Sequence, residues 1–290
     1  MTDHDLNEVR REKWRLNGNP LRTLDEARSF IESVGFCLMY PVRPPVLAPT
    51  FIGAWAGSDE HLPAWQQAFA DPRAEGATAL MVRLLREHLA YEANVYGENN
   101  SLLIAASVFP YVYALVGERN PRQAPKLGDH SGYSELACDC YAAIERGGPI
   151  SKQKLIATLG KGISVAGVDK SLAELWSKLR ITRVDYDPRE GSVWDLLYRW
   201  APDAVREGIE LSIPAALSAL ISKYLDCVVA ADQSELDNFF SYFAPRSRVK
   251  EAVNVLLTAR EFEFIRIGKR SLIQIVPRKV MPRPAGEAAG

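Results

Sequence analysis

In the last third of the chain, apolar residues recur first at helical and then at alternating spacing. Residues 214–230 carry a stripe long enough for one helix, 234–240 for a short second helix and 246–259 for a third. The run EFIRIGKRSLIQIV then alternates around Gly268-Lys269, the pattern of a hairpin with a tight turn. The same order precedes it. Residues 133–145 read as a helix, and GGPIS as a turn whose Ser151 caps a short helix over 152–159. Residues 168–179 form a third helix with Leu172, Leu175, Trp176 and Leu179 inward, before the strands ITRVDYD and SVWDLLY joined by PREG.

The N-terminal half is less periodic. Residues 1–20 are polar and read as a flexible lead-in with a helical tendency over 6–16. Thr23 and Glu26 make a capping box for a helix with Ala27, Phe30, Ile31 and Val34 as its apolar stripe, ended by Gly35. FCLMYPV, stopped by Pro41, is too short to assign to helix or strand, and 43–49 is a proline-rich loop. Residues 64–69 and 77–89 read as helices, and 101–109 as a strand running into a helix over 110–116. The polar, Pro/Gly-rich NPRQAPKLGDHSG is the clearest linker.

These elements predict a mainly α chain with small β-hairpins, an α+β fold. Helix, helix, helix and hairpin is the order of a winged helix, whose third helix enters the major groove of duplex DNA while the hairpin lies on the backbone or minor groove. The expected organisation is a flexible segment 1–20, a mostly helical domain 21–120, a linker 121–132, a winged helix 133–205, a C-terminal winged helix 206–280 and a disordered tail 281–290.

Composition agrees with a globular protein: 290 residues, 47% of them hydrophobic, can bury a sizeable core. No apolar run approaches the roughly 20 residues of a membrane helix, and the start MTDHDLNEVRREK lacks a signal peptide's apolar stretch, so no membrane association and a cytoplasmic location are expected. The sparse Cys37, Cys138, Cys140 and Cys227 read as packing residues; no disulfide, metal or cofactor is expected.

The net charge of −1 counts against nucleic-acid binding, but it hides a gradient. Up to His130 there are 13 Lys/Arg against 16 Asp/Glu; between Arg246 and Arg283 there are ten against three. Arg246, Arg248 and Lys250 open the third helix, where positive charge opposes the helix dipole and gains from a phosphate partner. Arg266, Lys269 and Arg270 lie on the hairpin, and Lys152 and Lys154 open the second helix of the upstream unit. All are candidates for DNA contact, set against the plainer roles of solvated helix ends and edge-strand charges. His88 and Glu92, four residues apart, are weak catalytic candidates whose simpler reading is a charged helix face with Arg83, Arg86 and Glu87. Phe109, Tyr111 and Tyr113 could stack a flipped base but read more simply as core.

The segments VGFCLMYPV (34–42), AASVFP (105–110) and WDLLYRWAPD (194–203), with the two units downstream, resemble the AlkZ/YcaQ family of bacterial DNA glycosylases and the AlkZ-related proteins, in layout over residues 21–277. The resemblance implies winged helices around a concave DNA-binding surface, and hydrolysis of the N-glycosidic bond of alkylated or crosslinked bases. The family's Gln-x-Gln or Gln-x-Asp motif, placed before the proline, falls here on Leu38, Met39 and Tyr40, and the His that precedes its Ala-Ala-Ser element falls on Ile104. A leucine cannot bind a water, a tyrosine is neither carboxamide nor carboxylate, and the resemblance then implies that the inherited mechanism is lost. The expectation is a duplex-DNA-binding protein of damage recognition or regulation that has lost the cutting chemistry. Two alternatives stand beside it: a glycosylase with a rearranged site, and a module that binds a protein partner.

Overall fold

The computed structural model describes residues 2–63, 71–94, 101–127 and 132–277. It is a mixed α+β protein of helices and small antiparallel sheets. One arrangement occurs three times: a helix, a short strand, two more helices and a hairpin whose last strand pairs with the first.

In the first copy these are α2 (Leu24–Val34), β1 (Phe36–Leu38), α3 (Phe51–Ala56), α4 (Pro72–Arg86), β2 (Ala90–Ala93) and β3 (Leu102–Ala105), with sheet order β1-β3-β2. The second has α6 (Glu135–Gly147), β4 (Ile150–Ser151), α7 (Lys152–Leu159), α8 (Val165–Ser177), β5 (Ile181–Asp187) and β6 (Gly191–Leu196), with order β4-β6-β5. The third has α11 (Ile213–Val228), α12 (Gln233–Phe240), α13 (Arg246–Thr258), β7 (Phe262–Ile267) and β8 (Arg270–Ile275). Its first strand shrinks to Ala231, bridged antiparallel to Ile273. The second and third copies match at a constant offset: cap Ser151 with Asp232, Ser164 with Pro245, Ile181 with Phe262.

Local sequence explains the element ends. Thr23 and Glu26 close the capping box of α2, and Gly35, at φ 78, ends it. Ser151 caps α7 by accepting from the Lys154 N–H at 3.3 Å. At the hairpin tip, Gly268 takes φ 58, which a side chain would resist. FCLMYPV enters the sheet as β1 because each of its three strand residues is buried and pairs with β3.

Two expectations change. The lead-in read as flexible contains α1 (Asp3–Lys13), with a Thr2/Asp5 capping box and a fully docked Leu6. Its anchor is Arg10, a buried cation that donates to the carbonyls of Val228 and Ala230 at 2.8 and 2.6 Å, satisfying groups at the C-terminal end of α11. Burial lowers the Arg10 pKa from its ordinary value. The helix expected over 77–89 starts earlier, at Pro72 behind the cap Asp71, and stops at Arg86, because His88 turns left-handed at φ 55.

The first and third copies share one core. Phe36 lies 5.1 Å from Phe239 and 6.4 Å from Tyr224, ring to ring, so strand β1 of one copy packs on α11 and α12 of the other. Two connecting helices complete it: α5 (Phe109–Val116) packs on both α10 (Pro202–Glu210) and α11. Gly208 permits this approach, since a Cβ there would stand 2.8 Å from the Pro110 carbonyl. The second copy has a separate core around Tyr141, Leu155, Leu172, Leu175 and Leu196. It joins the rest through β5 and the short α9 (Leu197–Trp200).

No single helix among the described residues is long and apolar enough to cross a membrane; α10 and α11, which pass by length and composition together, bend by 115°. The helix expected over 64–69, the tail 281–290, and Glu98, Asn99, Asn100, His130, Arg278, Lys279 and Arg283 lie outside the described residues.

Candidate nucleic-acid interface

Helix α13 packs Val249, Ala252, Val253 and Leu256 into the shared core and leaves its opposite side to solvent. Ser247, Lys250, Glu251, Asn254, Val255, Thr258 and Ala259 form a shallow, open patch there. The helix begins at Pro245 with no side-chain cap, and Arg246 and Arg248 stand in its first turn. Arg246, Lys250, Arg266 and Lys269 are exposed and have no ion-pair partner among the described residues. Arg248 reaches Glu251 at 3.2 Å, a solvent-exposed pair of small energetic weight.

The other candidate cations, Arg270, Lys152 and Lys154, are engaged within the fold. Arg270 holds Asp232 at 2.9 Å and Glu235 at 2.7 Å, tying β8 to the start of α12. Those hydrogen bonds raise the Arg270 pKa. Lys152 pairs with Asp169 at 2.8 Å and Lys154 with Glu190 at 3.1 Å.

The hairpin β7–β8 has two unlike faces. Ile265, Ile267 and Leu272 are covered by Leu6 of α1. Phe262, Phe264 and Arg266 alternate onto the other face, where Phe262 enters the core while Phe264, 63% exposed, and Arg266 extend beyond it.

The positions at which the resemblance would place the glycosylase motifs are packed in the first copy. Leu38 is buried on β1 opposite Leu102, and Ile104 is fully buried on β3 between Phe36 and Tyr91. Tyr40 is half-buried, its hydroxyl 3.5 Å from that of Thr78; burial raises its pKa, so it remains a neutral phenol at pH 7. Water has no polar group to orient it at Leu38 or Ile104. Phe109 and Tyr113 are buried on α5 as core residues, with Tyr111 partly exposed beside them.

His88 and Glu92 do not share a helix face. His88 is exposed and stacks on Trp200 at 4.3 Å, whereas Glu92 lies on β2 and is 1% exposed. The chain turns at His88, so the four-residue spacing no longer means adjacency. Glu92 belongs instead to a polar seam between the first two copies, invisible in the sequence because its partners are remote. Its carboxylate is 3.4 Å from the Arg183 guanidinium. Its carbonyl accepts from Trp176 Nε1 at 3.0 Å and Thr182 Oγ1 at 3.1 Å. Arg183 also lies 5.2 Å over Trp176 and 5.6 Å over Trp194. Glu92 Oε2 and Asn94 Oδ1 are buried without a hydrogen bond; the Glu92 to Arg183 contact has ion-pair distance but not hydrogen-bond geometry. At the end of α4, Arg86 pairs with Asp185 at 2.6 Å.

Among the described residues, no group of three or more His, Cys, Asp or Glu side chains is placed to hold a metal ion. The sequence matches no family model and no curated protein.

Proposed function

We propose that the three copies are winged helices and that the chain is a non-catalytic member of the AlkZ-related group, gripping duplex DNA through α13 and the β7–β8 hairpin. The observation that carries this reading is the open outer face of α13, with Arg246 and Lys250 beside it and Arg266 and Lys269 on the hairpin, all free of ion pairs among the described residues. Cations without internal partners neutralise phosphates at little cost to the fold, and each phosphate so met makes binding more salt-dependent. The test is binding of the full chain to short duplexes across a salt series. Affinity should fall steeply with salt, and Arg246→Ala with Lys250→Ala and Lys269→Ala should flatten that dependence by two to three phosphates' worth, about 0.9 in slope for each. Absence of duplex binding at low salt would sink the reading.

Burial of Leu38, Ile104 and Glu92 supports loss of the glycosylase chemistry. Release of alkylated base from damaged duplex by the purified chain would restore the catalytic alternative. A protein-binding role has its own observation, the exposed Phe264 and Val255, at 63% and 59%. Stable co-purification of a protein that blocks duplex binding would favour it.

A further inference from the structure

We infer that the outer face of α13 reads base sequence, with Glu251 and Asn254 as the discriminating residues. This deepens the duplex-DNA reading and rests on it, since a backbone grip alone would satisfy that reading. The argument begins with helical spacing. With Val249, Ala252, Val253 and Leu256 facing the core, the line opposite them is Ser247, Glu251, Asn254 and Thr258, stepped by four, three and four residues, and all four are exposed. Arg246 and Lys250 border this ridge on one side and Arg248 on the other. When a helix lies in the major groove, its leading ridge meets base edges while its flanks meet phosphates. A helix that only gripped the backbone would gain from cations everywhere. This one confines them to the flanks and gives the ridge uncharged hydrogen-bonding groups and one carboxylate.

The carboxylate is the telling group. At the floor of a groove walled by phosphates, Glu251 is repelled unless it meets a donor, and the major-groove donor that suits a carboxylate is the N4 amino group of cytosine. Arg248, 3.2 Å away, makes only an exposed pair with it, which a cytosine amino group can displace. Asn254 carries the acceptor and donor pair that matches adenine bidentately. Three residues separate the two, about 4.5 Å along the helix, close to one base-pair step of about 3.4 Å. The site should therefore contain a C·G and an A·T pair side by side. Thr258 donates to the Asn254 carbonyl at 2.8 Å, which leaves its oxygen outward as an acceptor.

The test selects duplexes from a randomised pool with the full-length chain, then compares the enriched duplex with a scrambled one at the same salt. We expect an enriched element with adjacent C·G and A·T pairs. Asn254→Ala should lose about tenfold to a hundredfold on that duplex and little on the scrambled one, the span expected for a bidentate base contact. Glu251→Ala should bind the scrambled duplex more tightly and lose its preference for the C·G pair. Both positions are exposed, so unchanged circular dichroism and melting temperature should accompany these shifts. Salt-sensitive binding with no enrichment, or enrichment insensitive to both substitutions, would overturn sequence reading and leave the DNA grip standing. Failure to bind any duplex at low salt would remove both and leave the face to a protein partner.

Discussion

The second and third copies carry their third helices at the same offset, with matching inward positions and different outward ones. Val168, Ser171, Leu172 and Leu175 of α8 occupy the inward positions held by Val249, Ala252, Val253 and Leu256 in α13. Outward, Arg246 matches Val165, Ser247 matches Ala166, Lys250 matches Asp169, Asn254 matches Ala173, and the carboxylate of Glu251 matches the exposed cation Lys170. Where α13 has free cations, Asp169 of α8 holds Lys152 and Glu174 accepts from the N–H and hydroxyl of Ser134. The hairpins diverge in the same way: Lys269 at one tip has no ion pair among the described residues, while Glu190 at the other is tied to Lys154. In the first copy α4 is further occupied, with Val82 buried and Arg86 bound to Asp185. Inward positions preserve the architecture, and outward ones are free to differ, so function must be read from the outer face of each copy rather than from its topology.

The largest effects should come from the inward positions. Leu175→Ala and Leu256→Ala each remove a buried leucine side chain and should cost about 2–5 kcal/mol. Their consequences should differ, because Leu175 belongs to the separate core of the second copy and Leu256 to the core shared by the first and third. Hydrogen exchange should show Leu175→Ala loosening 135–196 alone, and Leu256→Ala loosening the first and third copies together. Uniform loss of protection in both variants would mean that the two cores unfold as one.

Next in size is exchange of the outer faces. Giving α13 three of the outward residues of α8, Arg246→Val, Lys250→Asp and Asn254→Ala, while keeping Glu251, should reduce duplex affinity by about a hundredfold or more at low salt, since two phosphate contacts are lost and one charge is reversed. The melting temperature should stay within a few degrees, as for most exposed substitutions. Lys152→Ala, breaking the pair on α7 beside α8, should leave binding unchanged. If instead it weakens binding as much as the α13 exchange does, the second copy shares the grip.

A smaller effect separates two neighbours on the third hairpin. Lys269→Ala should lower affinity a few-fold and reduce the salt slope by about 0.9, one phosphate's share. Arg270→Ala should leave the slope alone and cost up to about 1 kcal/mol of stability, because its pairs with Asp232 and Glu235 are partly exposed. Equal slopes for the two variants would place both side chains on DNA.

What was legible in the sequence was whatever local chemistry decides. The capping box at Thr23, the cap at Ser151 and the turn at Gly268 all rest on residues within four of one another, and each stands where its pattern puts it. The sheet of the first copy was not legible as such: β1, β2 and β3 are three or four residues long and buried throughout, so they lack alternation. Long-range partners were equally hidden. Nothing near Arg10 names the carbonyls of Val228 and Ala230, and nothing near Glu92 names Arg183. At the candidate interface the cations were legible as residues but not as free or engaged ones. Arg270 and Lys269 are adjacent in sequence, and only the packing of β8 on α12 distinguishes them.

The smallest effect tests the comparison at one matched position, the cap of the second helix. Ser151 caps α7 and Asp232 caps α12, each accepting from the N–H three residues on, at 3.3 and 2.9 Å. Replacement of either by alanine should cost about 1 kcal/mol at pH 7. Only the aspartate titrates near the acid range. Partial burial opposes its charge, but the Glu235 N–H and the Arg270 guanidinium outweigh this and hold its pKa below the ordinary carboxylate value. A carboxylate with a depressed folded pKa contributes stability that is present above its unfolded pKa, near 3.9, and is lost as pH falls through the folded value. The cost of Asp232→Ala should therefore shrink as pH drops below about 4, while the cost of Ser151→Ala stays level. Urea unfolding of both variants beside the unaltered chain, at pH 7 and at successive steps down to pH 3, measures the two curves. Parallel curves would mean that the Asp232 carboxylate does not hold the third copy's cap.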